Sequence, residues 1–147
     1  MNQIIEQISH IGIVPVIAID EAEKAVPLAR ALVAGGLPAA EVTFRTAAGE
    51  EAIRRIATEV PEMLVGAGTV LTTGQADRAI AAGAQFIVSP GFNPAVTRYV
   101  IDRGVLMMPG TASPRRDGAG HEHGTGCGEV LSSRAERRRG QAEGPGP

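Results

Sequence analysis

Along the first part of the chain, hydrophobic positions switch repeatedly between an unbroken run and a helical period. Residues 11–19 (IGIVPVIAI) are apolar almost throughout and rich in Ile and Val, which predicts a strand buried on both faces. The period then changes, and Val26, Leu28, Ala29, Leu32 and Val33 make one helical face that stops at Gly35 and Gly36. Asp20 is the expected N-cap of this helix, with Glu23 three residues on in a capping-box spacing. Pro27 then has to kink the helix or occupy its first turn. The same unit recurs, with strands predicted over 40–44, 64–70, 86–89 and 105–108 and helices over 48–59, 73–82 and 94–102.

Strands separated by helices run parallel, because each right-handed crossover returns the chain to the same end of the sheet. The fold class is therefore α/β: about five parallel strands with four crossover helices, followed by a different kind of tail. Gly68, Gly91, Pro109 and Gly110 just beyond strands suit part of a (β/α)8 barrel whose strand ends carry ligand-facing loops. An open doubly wound sheet is the other arrangement compatible with this rhythm.

The chain changes character near Ser113. Residues 1–113 read as the barrel domain. Residues 114–147 are dominated by Arg, Gly, Glu, His and Ser, with Val130 and Leu131 as the only sizeable aliphatic side chains. Two such side chains do not offset roughly 1–2 kcal/mol of backbone entropy per residue ordered, so this tail is expected to be disordered. Trp is absent and there are three Phe and one Tyr, which leaves Ala, Val, Ile and Leu to build the core. An apolar content of 44% and a net charge of -2 describe an ordinary mildly acidic globular protein and name no partner. No secretory leader and no apolar run of about 18 residues is present, so a membrane is not expected and the cytoplasm is. Cys127 is the single cysteine, which agrees with a reducing compartment.

Candidate chemistry concentrates in two short segments. In Glu41-Val42-Thr43-Phe44-Arg45 an acid, a hydroxyl and a guanidinium share one side of a strand, while Val42 and Phe44 face the helices. A buried carboxylate must be paired, with Arg45 or a distant lysine, or have its pKa raised toward proton transfer. The ordinary alternative is an exposed edge strand with a surface ion pair. Val65-Gly66-Ala67-Gly68-Thr69-Val70 ends a strand in small residues, which serve tight packing or the close approach of a ligand, and leaves the Thr69 hydroxyl at the strand mouth. It is neither a dinucleotide fingerprint nor a P-loop. Ser89-Pro90-Gly91 and Pro109-Gly110-Thr111 repeat the theme after the next two strands. His121, Glu122, His123 and Cys127 fit no closed metal-ligand spacing, and no metal is expected. The arginines of 134–139 are interrupted by Glu136 and lack aromatic company, so no nucleic acid is expected either.

Taken in order, Pro15-Val16-Ile17, Ala25-Val26-Pro27, Leu32-Val33-Ala34-Gly35-Gly36, the Glu41–Thr46 segment, the Val65–Val70 segment, Gly83-Ala84-Gln85-Phe86 and Ser89-Pro90-Gly91 carry a resemblance. Over about residues 4–113 the chain resembles the 2-keto-3-deoxy-6-phosphogluconate aldolases, a family also active on 4-hydroxy-2-oxoglutarate. The resemblance implies a (β/α)8 barrel, usually a homotrimer, in sugar-acid breakdown. Such an enzyme cleaves a small phosphorylated keto acid to pyruvate and glyceraldehyde 3-phosphate through a lysine Schiff base, without metal or other cofactor. By match to the family motifs, Glu41 is the proton-shuttling base, Arg45 binds substrate, Thr69 contacts the pyruvate part and Pro90 lines the pocket.

The sequence also departs from the pattern. The family's Schiff-base lysine stands on the sixth strand in a Phe-Lys-Phe-Phe-Pro-like context, and its phosphate is held by glycine-rich turns after the seventh and eighth strands. Neither segment occurs here, and Lys24, on the first predicted helix, is the only lysine of the chain. A frameshift after codon 114 is the expected origin of the change in composition, and a search of the other reading frames of the coding DNA for a Phe-Lys-Phe-Phe-Pro-like stretch tests it. Two expectations follow: a carbon–carbon lyase by descent, or an inactive fragment of one. A phosphate-binding barrel of the thiamine-phosphate type is a third.

Overall fold

The structure, a computed structural model, describes residues 3–110. It opens with helix α1 (Gln3–Ile11), an element absent from the elements predicted above. Ile4, Ile5, Ile8 and Ile11 form one stripe of this helix. Gly12 ends it at a φ of +77°, with its N–H donating to the Ile8 carbonyl at 2.8 Å. The run 11–19 is therefore not one strand, and β1 is only Val16–Ile17. Continuous apolarity alone does not separate a helix end from a strand.

A 3-10 turn (Ala22–Lys24) then leads into α2 (Ala25–Ala34). Asp20 caps neither: the N-cap positions are Glu21 and Lys24, and neither makes a side-chain cap bond. Pro27 lies in the first turn of α2, where an N–H would have no partner within the helix. The remaining elements match the predicted rhythm to within two residues: β2 (Ala39–Thr43), α3 (Gly49–Glu59), β3 (Leu64–Gly68), α4 (Thr73–Ala81), β4 (Phe86–Ser89), α5 (Pro94–Asp102) and β5 (Leu106–Pro109). Thr72 caps α4 by accepting from the Gln75 N–H, and Asn93 caps α5 by accepting from Ala95 and Val96.

The strands form one parallel sheet in the order β1-β2-β3-β4-β5. An order that never reverses excludes the doubly wound arrangement, which requires a switch point. The two faces of the sheet bury different clusters. Ala40, Val42, Val65, Ala67, Ile87 and Met107 pack outward against α2 to α5, through residues such as Ala29, Ile53, Ile56, Ala79 and Val100. Ala39, Leu64, Phe86 and Leu106 point the other way, onto the isoleucines of α1. Helices in a layer on one face and a plug at one end of the other are the arrangement of a barrel arc. On the inner face the register places Val16 beside Glu41, and Val16 is 57% exposed. The predicted tail 114–147, with His121, Glu122, His123, Cys127 and the arginines of 134–139, lies outside the described residues.

Thr97 of α5 is fully buried, and its Oγ1 has no hydrogen-bond partner. Thr97→Val keeps the shape and removes the unsatisfied hydroxyl, so it is expected to stabilise the fold by about 1 kcal/mol. A raised urea midpoint at unchanged m-value checks this, and a lowered midpoint contradicts it.

Candidate active site

Alternation along β2 sends Ala39, Glu41 and Thr43 to the inner face and Ala40 and Val42 to the helices. Glu41 is only 9% exposed and Thr43 is fully buried. Register sets Glu41 opposite Gly66 and Thr43 opposite Gly68 on β3. Both glycines are filled by neighbouring side chains. A Cβ on Gly68 would lie 1.7 Å from Oε1 of Glu41, and a Cβ on Gly66 would lie 2.2 Å from the Phe86 ring. The Gly-Ala-Gly run thus serves tight packing, and one of the groups packed into it is the carboxyl of interest. The carboxyl can occupy this space because the opposing strand has no side chain there.

The strand ends at Thr43, two residues before Arg45. The predicted inward stripe therefore holds for Glu41 and Thr43, and Arg45 lies in the following turn, exposed to solvent. That turn is held from three sides. Thr43 Oγ1 donates to the Ile17 carbonyl at 3.2 Å, and Thr46 Oγ1 donates to the Ile19 carbonyl, which strap it to β1 and to the segment just after it. The Phe44 N–H donates to the Gly68 carbonyl at 2.8 Å. The Phe44 ring turns outward, as predicted, beneath the Arg78 guanidinium at 5.4 Å, and Arg78 is in turn 3.6 Å from Glu50.

Thr69 follows β3 directly, with a φ of 59°. A β-branched residue in the left-handed region is strained, and such strain collects at functional sites. This conformation also ends β3 at Gly68 rather than at Val70, where the apolar pattern had put the end. Pro90 belongs to the turn after β4, which the Ser89 hydroxyl closes by donating to the Gly91 carbonyl at 2.8 Å. It lines an open cavity of about 390 Å³ with Val70, Leu71, Ser89, Gly91, Phe92 and Asn93. Glu41, Arg45, Thr69 and Pro90 thus come from three adjacent strands or the turns after them, at the carboxyl end of the sheet, although Glu41, Arg45 and Thr69 do not line that cavity. Lys24 stands apart on the 3-10 turn, its side chain 70% exposed and 2.6 Å from Glu21.

Sequence reasoning missed what surrounds the acid: the Phe86 ring over the facing Gly66, the threonine straps and the plug α1. The available signal was the spacing of Ile4, Ile5, Ile8 and Ile11.

The family profile described as "Aldolase: KDPG and KHG aldolase" matches residues 4–126. The chain belongs to this family. A 2-dehydro-3-deoxy-phosphogluconate aldolase of Treponema pallidum is 51% identical over 113 residues, which are 77% of this chain and 54% of that protein. The KHG/KDPG aldolase of Escherichia coli is 46% identical over 101 residues, 69% of this chain and 47% of that one. The chain thus spans about half the length of the curated relatives it matches. Among solved aldolases of the family, the Zymomonas mobilis ZM4 enzyme with 3-phosphoglycerate superposes with a TM-score of 0.79 at 35% identity, covering 95% of this chain and 71% of that one. The Legionella pneumophila enzyme, with pyruvate captured as a covalent carbinolamine intermediate, superposes with a TM-score of 0.72 at 40% identity, covering 76% and 54%.

Two substitutions probe the geometry. Gly68→Ala puts a methyl where the Glu41 carboxyl lies, and is expected to destabilise by about 1–3 kcal/mol of overpacking in chemical denaturation. Thr69→Gly relieves the left-handed strain and is expected to stabilise by roughly 1 kcal/mol. A neutral Gly68→Ala would mean that the carboxyl does not fill that space.

Proposed function

We propose that this chain carries the acid–base and carboxylate-binding part of a class I aldolase site. The reaction is cleavage of 2-keto-3-deoxy-6-phosphogluconate to pyruvate and glyceraldehyde 3-phosphate. The observation that carries the reading is the buried Glu41 carboxyl, seated against Gly68 at the carboxyl end of the sheet. In this chemistry a lysine amine condenses with the substrate ketone. The protonated imine then accepts the electron pair released when the bond between the methylene and carbinol carbons breaks. Glu41 takes the proton of the carbinol hydroxyl and returns one to the methylene carbon. Arg45 pairs with the substrate carboxylate from the exposed turn, Thr69 adds a hydroxyl beside it, and Pro90 closes the wall. We further infer a cytoplasmic enzyme that acts as a homotrimer in an Entner–Doudoroff type of sugar-acid breakdown. In support, no helix among the described residues is long and apolar enough to cross a membrane.

A second reading, a chain that presents this site without forming the imine, is favoured by one observation. Lys24, the only lysine in the sequence, is solvent-exposed and ion-paired with Glu21.

A chimera in which residues 3–110 replace the matching segment of the Treponema pallidum relative tests the residue roles. It is expected to cleave the phosphorylated keto acid, with Glu41→Gln lowering kcat by about a hundredfold or more. Arg45→Met is expected to act mainly on KM, raising it about tenfold for a lost charge-assisted bond. An active chimera indifferent to Glu41→Gln contradicts the assignment. For the 147-residue chain itself, borohydride reduction with pyruvate followed by intact-mass measurement tests the second reading, which requires no adduct and is overturned by one.

A further inference from the structure

The inner face of the sheet is built in levels. Ala39 lies opposite Leu64, and both join Phe86 and Leu106 in the cluster closed from below by Ile4, Ile5, Ile8 and Ile11 of α1. One level up, Glu41 lies opposite Gly66, and one further, Thr43 lies opposite Gly68. Two side chains fill the spaces that these glycines leave. The Phe86 ring, fully buried, leans into the space above Gly66, where three of its carbons lie 2.2, 2.3 and 2.4 Å from the position of a Cβ. The Glu41 carboxyl leans up into the space of Gly68, with its Cγ, Cδ and Oε1 at 2.6, 2.5 and 1.7 Å from the corresponding position. Ala67 pairs with Ile87 between the strands, which sets Phe86 beside Gly66, the residue that faces Glu41 from the other side.

We propose that Phe86 is a positioning residue for Glu41: its ring occupies the space beside and below the acid, so that the carboxyl has only the slot at Gly68 to enter. The inference rests on Glu41 being the group that moves protons. The ring does not touch the reacting atoms. It removes the downward rotamers of Glu41 by occupying their volume, and with the isoleucines of α1 it closes the underside of the site to water. Preorganisation of this kind matters because a misplaced proton carrier loses rate steeply with distance. Gly66 and Gly68 are then two halves of one device, since the first admits the ring that directs the acid into the second.

The test uses the full chain labelled with ¹³C and ¹⁵N. In the wild type, nuclear Overhauser contacts are expected between the Glu41 γ-protons and the Gly68 α-protons, with one dominant Glu41 rotamer in side-chain couplings. Phe86→Leu is expected to abolish those contacts and average the couplings, with the β2 to β3 backbone contacts intact. Leu64→Ala, an equal intrusion on the same cluster that leaves Gly66 covered, is expected to lower stability and keep the Glu41 contacts. Adding Gly66→Ala to Phe86→Leu refills the vacated space with a methyl and is expected to restore at least half of the lost contact intensity. If Phe86→Leu does not fold, Phe86→Met is read in its place. Retention of the Glu41 contacts without the ring overturns the proposal, and so does their equal loss in Leu64→Ala. None of these measurements involves turnover, so the result stands apart from whether the chimera is an aldolase.

Discussion

One carboxyl group lies where a side chain of the neighbouring strand would otherwise be. Glu41 on β2 fills the Cβ space of Gly68 on β3, with Oε1 only 1.7 Å from the point a methyl would occupy. Burial of an ionisable group is unfavourable in a uniform apolar interior, and such burial is a recurrent mark of functional sites. The rest of the inner face follows from this placement. Gly66 must be bare because the Phe86 ring fills its Cβ space, Thr43 bonds back to Ile17, and α1 closes the lower end with branched aliphatic side chains.

The sheet is therefore asymmetric in purpose. Its outer face is a conventional helix-on-strand core of Ala, Val, Ile and Met, small enough at Ala29, Ala52, Ala76 and Ala79 for close contact. Its inner face grades from apolar at the α1 end to polar at the carboxyl end, where Glu41, Thr43, Arg45, Thr69 and Pro90 gather on consecutive strands and turns. The strain at Thr69 and the exposure of Arg45 mark the end of the sheet that faces substrate in the proposed reaction. The outer helices contribute at a distance, through the contact of Arg78 with Phe44 immediately before Arg45.

Much of this was legible in the residues. The alternation of β-branched runs with helical faces placed β4 and α5 to the residue, and the alternation within β2 put Glu41 inside and Val42 outside. The failures have physical causes. Residues 11–19 are apolar in both a helix end and a strand, so periodicity could not see that Gly12 divides them. Asp20 has cap chemistry, but the chain first makes a 3-10 turn and starts its helix at Ala25. Arg45 was counted into the stripe of Glu41 because alternation was extended past Thr43, where the strand stops. The role of Phe86 was invisible to a one-dimensional reading, since it depends on a glycine twenty residues earlier and on the register between two strands. The family match, by contrast, was carried by an ordered set of short motifs along residues 4–113.

The central claim is that Glu41 is held inward as the proton carrier of a keto-acid site. A crystal structure of the protein soaked with pyruvate tests it most directly. The expected result is density for the Glu41 carboxyl against Gly68, with the keto acid at the carboxyl end of the sheet within hydrogen-bonding reach of Glu41 and its carboxylate toward Arg45. A Glu41 side chain turned out to bulk solvent, or pyruvate bound only elsewhere on the molecule, would contradict it.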